Sequence, residues 1–206
     1  MPQSIVVENI ADHPGEATYV VGEGETLYYL AYGQINGEKR VSIQLTGRGA
    51  EAYLYGALFG TSSNGSLTTL QDHRAPDTKS DLLVRSVLGT HAFFNYHGSI
   101  CIARDAQRSN AYQRNENILL SRTARVETKP ELEILANDVR CTHGATVGKL
   151  DEESLFYLRS RGLTRPEAAH LMLQGFLAHV VSLIPDTIKG EEINDQLQQE
   201  LNQVIS

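Results

Sequence analysis

From residue 41 to residue 147, apolar and polar positions alternate in short runs that turn-forming residues interrupt. Val41, Ile43 and Leu45 alternate with Ser42, Gln44 and Thr46, a period of two that places one set on a buried face. Comparable runs predict strands at Ala52–Phe59, Leu67–Leu70, Leu82–Leu88, Ala92–Tyr96, Ile100–Ala103, Asn117–Leu120, Val126–Thr128, Leu132–Ala136 and Val139–Val147. Most are separated by Gly, Asn, Asp, Ser or Pro, as at Gly47-Arg-Gly49, Ser63-Asn-Gly65 and Ala136-Asn-Asp138. Short strands at this spacing indicate a sandwich, a barrel or a β-solenoid. Only Asn36-Gly37 and Asn64-Gly65 suit two-residue hairpin turns. The runs Leu82–Leu88 and Ala92–Ile102 place apolar residues on both parities, as strands covered on both faces do. The balance tips slightly toward an irregular solenoid.

Beyond residue 150 the period becomes helical. Asp151 is placed to cap a helix carrying Leu155, Phe156 and Leu158 that ends near Gly162. Thr164-Arg-Pro-Glu167 reads as a capping box. The helix it opens carries Ala168, Leu171, Met172, Phe176, Leu177, Val180, Val181 and Ile184, and stops at Pro185. Ile193, Leu197, Leu201 and Val204 form the stripe of a third helix. The change of period divides the chain into a β core over 1–149 and a helical domain over 150–206. The helices cannot bury these faces alone, so they pack on the β part, on a partner, or on both.

Composition narrows the function classes. Hydrophobic residues make up 41% of 206 residues, enough for a core, and the net charge of -7 argues against a general nucleic-acid binder. No apolar run approaches the roughly 20 residues of a membrane span. The opening MPQSIVVENI lacks the features of a secretory leader, and two cysteines without a CxxC suit a reducing compartment. The expectation is a cytoplasmic protein without nucleic-acid or membrane partners. P-loop, GxGxxG, HExxH, GxSxG and EF-hand signatures are absent.

The segment Val139-Arg-Cys-Thr-His-Gly-Ala-Thr-Val147 holds the most chemistry. On a strand, Cys141 and His143 point to one side, with α-carbons about 6–7 Å apart. Thiolate and imidazole suit zinc or iron, yet a structural zinc site takes four ligands. Parity also puts both on the face of Val139, Ala145 and Val147, which favours a packed cysteine and a hydrogen-bonded histidine. Cys101 is expected to be structural. His91 and His97 fit a cupin-like metal module only if they share a strand face. The arginines Arg104, Arg108, Arg114, Arg122 and Arg125 read as a solvated face, and Tyr28, Tyr29, Tyr32, Tyr53 and Tyr55 as packing. A β-helix enzyme acting on polysaccharides remains a second class of reading.

Three stretches together resemble the SufB/SufD family of iron–sulfur cluster assembly proteins. They are Ser109-Asn-Ala-Tyr-Gln-Arg-Asn-Glu-Asn-Ile-Leu-Leu-Ser121, Thr128-Lys-Pro-Glu-Leu-Glu-Ile-Leu-Ala-Asn-Asp-Val-Arg-Cys-Thr-His-Gly-Ala-Thr-Val-Gly148 and Leu150-Asp-Glu-Glu-Ser-Leu-Phe-Tyr-Leu-Arg-Ser-Arg-Gly162. The resemblance implies a right-handed parallel β-helix followed by a small C-terminal helical domain. His143-Gly-Ala-Thr146, and Gln113-Arg-Asn-Glu116 without a cysteine, look like the SufD branch. Most members also carry an N-terminal helical domain that has no counterpart here. The implied role is a non-catalytic scaffold that pairs with SufB, or with itself, through the β-helix. It would bind the ATPase SufC through C-terminal helices, around Phe156, Tyr157, Leu158 and Leu163. Cys141 and His143 are then the cluster-proximal residues at a subunit interface. No cofactor is held tightly by this chain alone, and the nascent cluster is cargo.

Overall fold

Eleven strands precede three helices. The strands are β1 (Gln3–Asn9), β2 (Gly15–Val21), β3 (Thr26–Gln34), β4 (Gly37–Leu45), β5 (Glu51–Gly60), β6 (Asn64–His73), β7 (Lys79–Leu88), β8 (Phe93–Ile102), β9 (Asn110–Leu119), β10 (Arg125–Ile134) and β11 (Arg140–Gly148). The helices are α1 (Glu152–Ser160), α2 (Arg165–Val181) and α3 (Thr187–Ile205). The computed structural model describes residues 2–205, and the side chains of all of these except 187, 188 and 202–205. Val204, the last residue of the predicted α3 stripe, lies outside the described side chains.

Odd strands form one sheet in the order β1-β3-β5-β7-β9-β11, and even strands form the other, β10-β8-β6-β4-β2. Each strand pairs in parallel with the one two places along the chain. Successive strands therefore alternate between sheets, and the chain winds a parallel β-solenoid of about five turns. A closed barrel, and with it the cupin-like reading, is overturned.

Val41, Ile43, Leu45, Leu54, Leu58, Leu82, Phe94 and Tyr96 fill the space between the sheets. Coils approach closely at their corners: a Cβ on Gly47 would collide with the backbone of Glu23, so only glycine fits there. The outer face of the odd sheet is covered by the helices. Leu30, Tyr55, Phe59, Leu83 and Val87 pack there against Leu173, Leu177, Val180, Val181, Ile193, Leu197 and Leu201. Most of the α2 and α3 stripes are thus buried on the β part.

Several elements differ from expectation. No run was predicted before Val41, yet β1, β2 and β3 form there. Ala92–Tyr96 and Ile100–Ala103 join into β8 through His97, Gly98 and Ser99. Val126–Thr128 and Leu132–Ala136 join into β10 through Pro130. On α2, Leu173 is buried while Leu171 stands 48% exposed; both the sheet and α3 pack against this helix, so its inner face is wider than one stripe.

Candidate functional site at the open end of the solenoid

The two ends of the solenoid differ. At the first coil a polar network seals the interior. Glu8 Oε2 accepts from Lys39 Nζ at 2.7 Å and from the Tyr29 hydroxyl at 2.8 Å. Glu8 Oε1 accepts from the Tyr19 hydroxyl at 2.9 Å, and Lys39 also donates to the His13 carbonyl at 3.0 Å. Burial pushes the Glu8 carboxyl up, but hydrogen bonds from Lys39, Tyr29 and Tyr19 outweigh it and hold it below the usual range. Tyr19 is pushed up to about 12 by burial and by Glu8.

At the last coil nothing comparable closes the mouth among the described residues. Register fixes which side chains look inward. Val126, Thr128, Pro130, Leu132 and Ile134 of β10 continue the column of Phe94, Tyr96, Gly98, Ile100 and Ile102. Cys141, His143, Ala145 and Val147 of β11 continue that of Ala111, Gln113, Asn115 and Asn117. The residues of β8 and β9 in these columns are buried under the final coil. Those of the final coil have no further coil above them, so Leu132, Ile134 and Val147 are 37%, 39% and 49% exposed.

The backbone follows the same alternation. Arg140 N–H donates to the Ser109 carbonyl at 3.0 Å. In a parallel strand the residues two apart share one hydrogen-bonding side. The N–H and C=O groups of Cys141, His143, Ala145 and Val147 therefore point to the free edge. The residues that offer side chains to the mouth also offer backbone for strand addition. On β10, Arg125 N–H bonds the Ala92 carbonyl, so Pro130 faces the free edge, where it removes one donor. Its presence within a strand fits an edge position.

Cys141 is half-buried against Ile100, Ile102, Ala111 and Ala136. Burial raises its thiol above the ordinary value, so the group is a neutral thiol near pH 7. His143 is exposed. Both side chains lie on the inward face as parity predicts, and Cys141 packs as expected; His143 is instead exposed, without a side-chain hydrogen bond among the described residues, because the inward face of a terminal coil is open. Gln113, beneath His143 in register, is buried; its Nε2 donates to the Gly98 carbonyl at 3.1 Å and its Oε1 accepts from Gln71 at 3.3 Å. Asn117 Nδ2 donates to the Thr146 carbonyl at 3.0 Å and so ties β11 down from inside.

Other sequence candidates are not brought together. Cys101 faces outward on the even sheet, 3.8 Å from Glu133. Burial, then Glu133 and Asp72, raise its thiol, so it stands among carboxylates and outside the core. His91 sits in a turn with φ of 57°, whereas His97 bonds Glu131 at 2.8 Å on the outer face. No group of three or more His, Cys, Asp or Glu residues is placed to hold a metal among the described residues. Arg108 binds Asp77, while Arg114 lies over the Tyr112 ring; the arginines form no single patch.

A second surface lies on α1. Leu155 is buried and anchors the helix, and Asp151 and the Thr164 capping box hold its end and the start of α2. Phe156 and Tyr157 are 71% and 56% exposed, with Leu158 and Leu163 half-buried beside them. Arg165 grips Glu152 through two nitrogens, at 3.0 and 2.8 Å, fixing α1 on α2.

Comparison with known proteins converges on one family. The family model described as SUF system FeS cluster assembly, SufBD core domain, matches residues 25–176. The chain is 37% identical over 131 residues to the iron-sulfur cluster assembly SufBD family protein slr0076 of Synechocystis, covering 58% of this chain and 29% of that protein. It is 33% identical over 133 residues to the iron-sulfur cluster assembly protein SufD of Escherichia coli, covering 65% and 31%. A Mycobacterium leprae SufBD family protein is 29% identical over 169 residues, covering 78% and 43%. The match spans less than half the length of each of these relatives.

Proposed function

The chain belongs to the SufB/SufD family, and from that premise we propose that it is a SufD-like, non-catalytic scaffold subunit in iron–sulfur cluster assembly. The open last coil carries this reading. Both ends present free strand edges, β1 and β2 at one and β10 and β11 at the other, but the Glu8–Lys39 network fills the first mouth whereas an apolar rim of Leu132, Ile134 and Val147 surrounds the second. Unpaired N–H and C=O groups recruit a further strand, and exposed Leu132, Ile134 and Val147 become buried when one is added. The partner is SufB or a second copy.

Cys141 and His143 supply one sulfur and one nitrogen, ligands suited to iron. Two ligands leave a site incomplete, so the remaining ones come from the strand added across the edge. The nascent cluster is cargo of this shared site. The exposed Phe156 and Tyr157 of α1 form the surface for SufC, which supplies the nucleotide chemistry for which this chain has no P-loop.

Two measurements test the proposal. Co-purification with SufB-type and SufC-type subunits is expected for the intact chain. Phe156→Ala combined with Tyr157→Ala is expected to remove SufC while leaving SufB bound, and unchanged SufC binding refutes the α1 assignment. Anaerobic cluster reconstitution on the complex is expected to fail with His143→Ala. A normal yield refutes the site.

A further inference from the structure

The interior of the odd sheet changes character one coil below the open mouth. Along three inward columns the lower coils carry Leu54, Gly56 and Leu58 on β5, then Leu82, Val84 and Ser86 on β7. On β9 the same columns carry Gln113, Asn115 and Asn117, all amides and all buried. Above them lie His143, Ala145 and Val147 of β11. Leucine or valine would fill these positions without the desolvation cost of an amide. The polar groups are nevertheless closed into a network around Asn117. Ser86 Oγ donates to Asn117 Oδ1 at 2.7 Å, which fixes the orientation of the amide. Asn117 Nδ2 then donates to Asn115 Oδ1 at 2.7 Å and to the Thr146 carbonyl at 3.0 Å, while Asn115 Nδ2 donates to the Val84 carbonyl at 3.2 Å.

Strand β11 needs such a tie. It is the edge of its sheet and pairs with β9 alone among the described residues. Every residue from 142 to 149 is exposed, so burial of an inward face does not hold this stretch down, and a strand of that kind frays and slips easily. Its first half is anchored where Cys141 packs against Ile100, Ile102, Ala111 and Ala136. Its second half is reached by one side-chain hydrogen bond among the described residues, from Asn117 to the Thr146 carbonyl. His143 stands between the two anchors.

Resting on the reading of Cys141 and His143 as cluster-proximal residues, we propose that Asn117, oriented by Ser86 and Asn115, is a positioning residue of that site. Its amide pins the second half of β11 against β9 and so holds the His143 imidazole at a fixed place over the mouth. Asn117 is buried, so it acts on the cargo only through the strand. A hydrophobic residue at the same place fills the column but offers nothing to the Thr146 carbonyl.

Two variants separate positioning from packing. Asn117→Leu puts in this column the residue type that Leu58 supplies two coils below; it removes the tie and leaves Ser86 and Asn115 without their partner. Ser86→Ala, Asn115→Val and Asn117→Leu together remove every side chain of the network, so none is left unsatisfied, and urea unfolding of the triple variant is expected to recover toward the wild type. Hydrogen exchange is read on the full chain at the Thr142, Gly144 and Thr146 amides, which face β9, relative to the amides of β7, which report global opening. In both variants the β11 amides are expected to exchange about tenfold faster relative to β7. Anaerobic reconstitution with a SufB-type subunit is expected to lose most of its cluster yield in both, including the triple variant whose stability recovers. Unchanged β11 exchange in both variants overturns the proposal. A loss of yield with His143→Ala alongside a normal yield from the triple variant refutes the role of Asn117 alone, because the network then serves packing. A normal yield with His143→Ala refutes the site itself, and the positioning role with it.

Discussion

His73 lies inside the solenoid with both ring nitrogens engaged, Nδ1 with Thr78 Oγ1 at 2.7 Å and Nε2 with Ser80 Oγ at 2.8 Å. Burial pushes its imidazole down to about 4 from the ordinary 6.5. Above pH 6.5 it is neutral in both folded and unfolded chains. As pH falls from 6.5 to 4, the unfolded chain takes up a proton that the folded chain excludes, so stability drops by at most roughly 3 kcal/mol. Urea unfolding from pH 7 to 4 should show this slope, and His73→Gln should flatten it relative to wild type. The same residue scale shows what was legible at the site. Alternation placed Cys141 and His143 on the inward face, because side-chain direction follows from parity alone. The exposure of His143 was not legible, because it depends on whether another coil lies above. A hydrophobic run reads the same in a central and in a terminal strand.

At the scale of elements, helix ends were more legible than strand ends. The capping box is local chemistry: the Thr164 N–H donates to Glu167 Oε2 at 2.7 Å, and the Thr164 hydroxyl accepts the Glu167 N–H. Thr164→Ala should lower stability by about 1 kcal/mol, measurable by denaturant unfolding, with the exposed α1 face left intact. Strand boundaries depend on neighbours. Pro130 argues against a central strand, and the alternation shows β10 only as two short runs; as the last strand of its sheet it tolerates a missing N–H at the free edge. Likewise β3 mixes Leu27, Tyr29 and Ala31 facing the interior with Tyr28, Leu30 and Tyr32 facing the helices. With both parities apolar, no period of two announces it. Charge at the corners was also invisible, since Arg48, Asp77, Arg108 and Asp138 are about thirty residues apart in sequence and become neighbours only when coils stack.

At the scale of the molecule, the two ends assign stability and association to different residues. Lys39 is 6% exposed and satisfies a carboxylate that is itself largely covered. Removing it leaves Glu8 uncompensated, so Lys39→Ala should destabilise the fold by about 3 kcal/mol. The open end is several coils away, so the same substitution should leave pairing unchanged at temperatures where the chain remains folded. Leu132→Ser with Val147→Ser should do the reverse. These side chains are already partly in water, so unfolding should shift by about 2 kcal/mol, less than for Lys39→Ala, while association through the last coil weakens because the apolar rim that a partner would bury is gone. Unfolding curves and solution mass on both variants separate the alternatives. If the rim substitutions melt the fold and spare association, the last coil is a cap and the interface lies elsewhere. If Lys39→Ala abolishes association in a folded chain, the sealed end is the one that pairs.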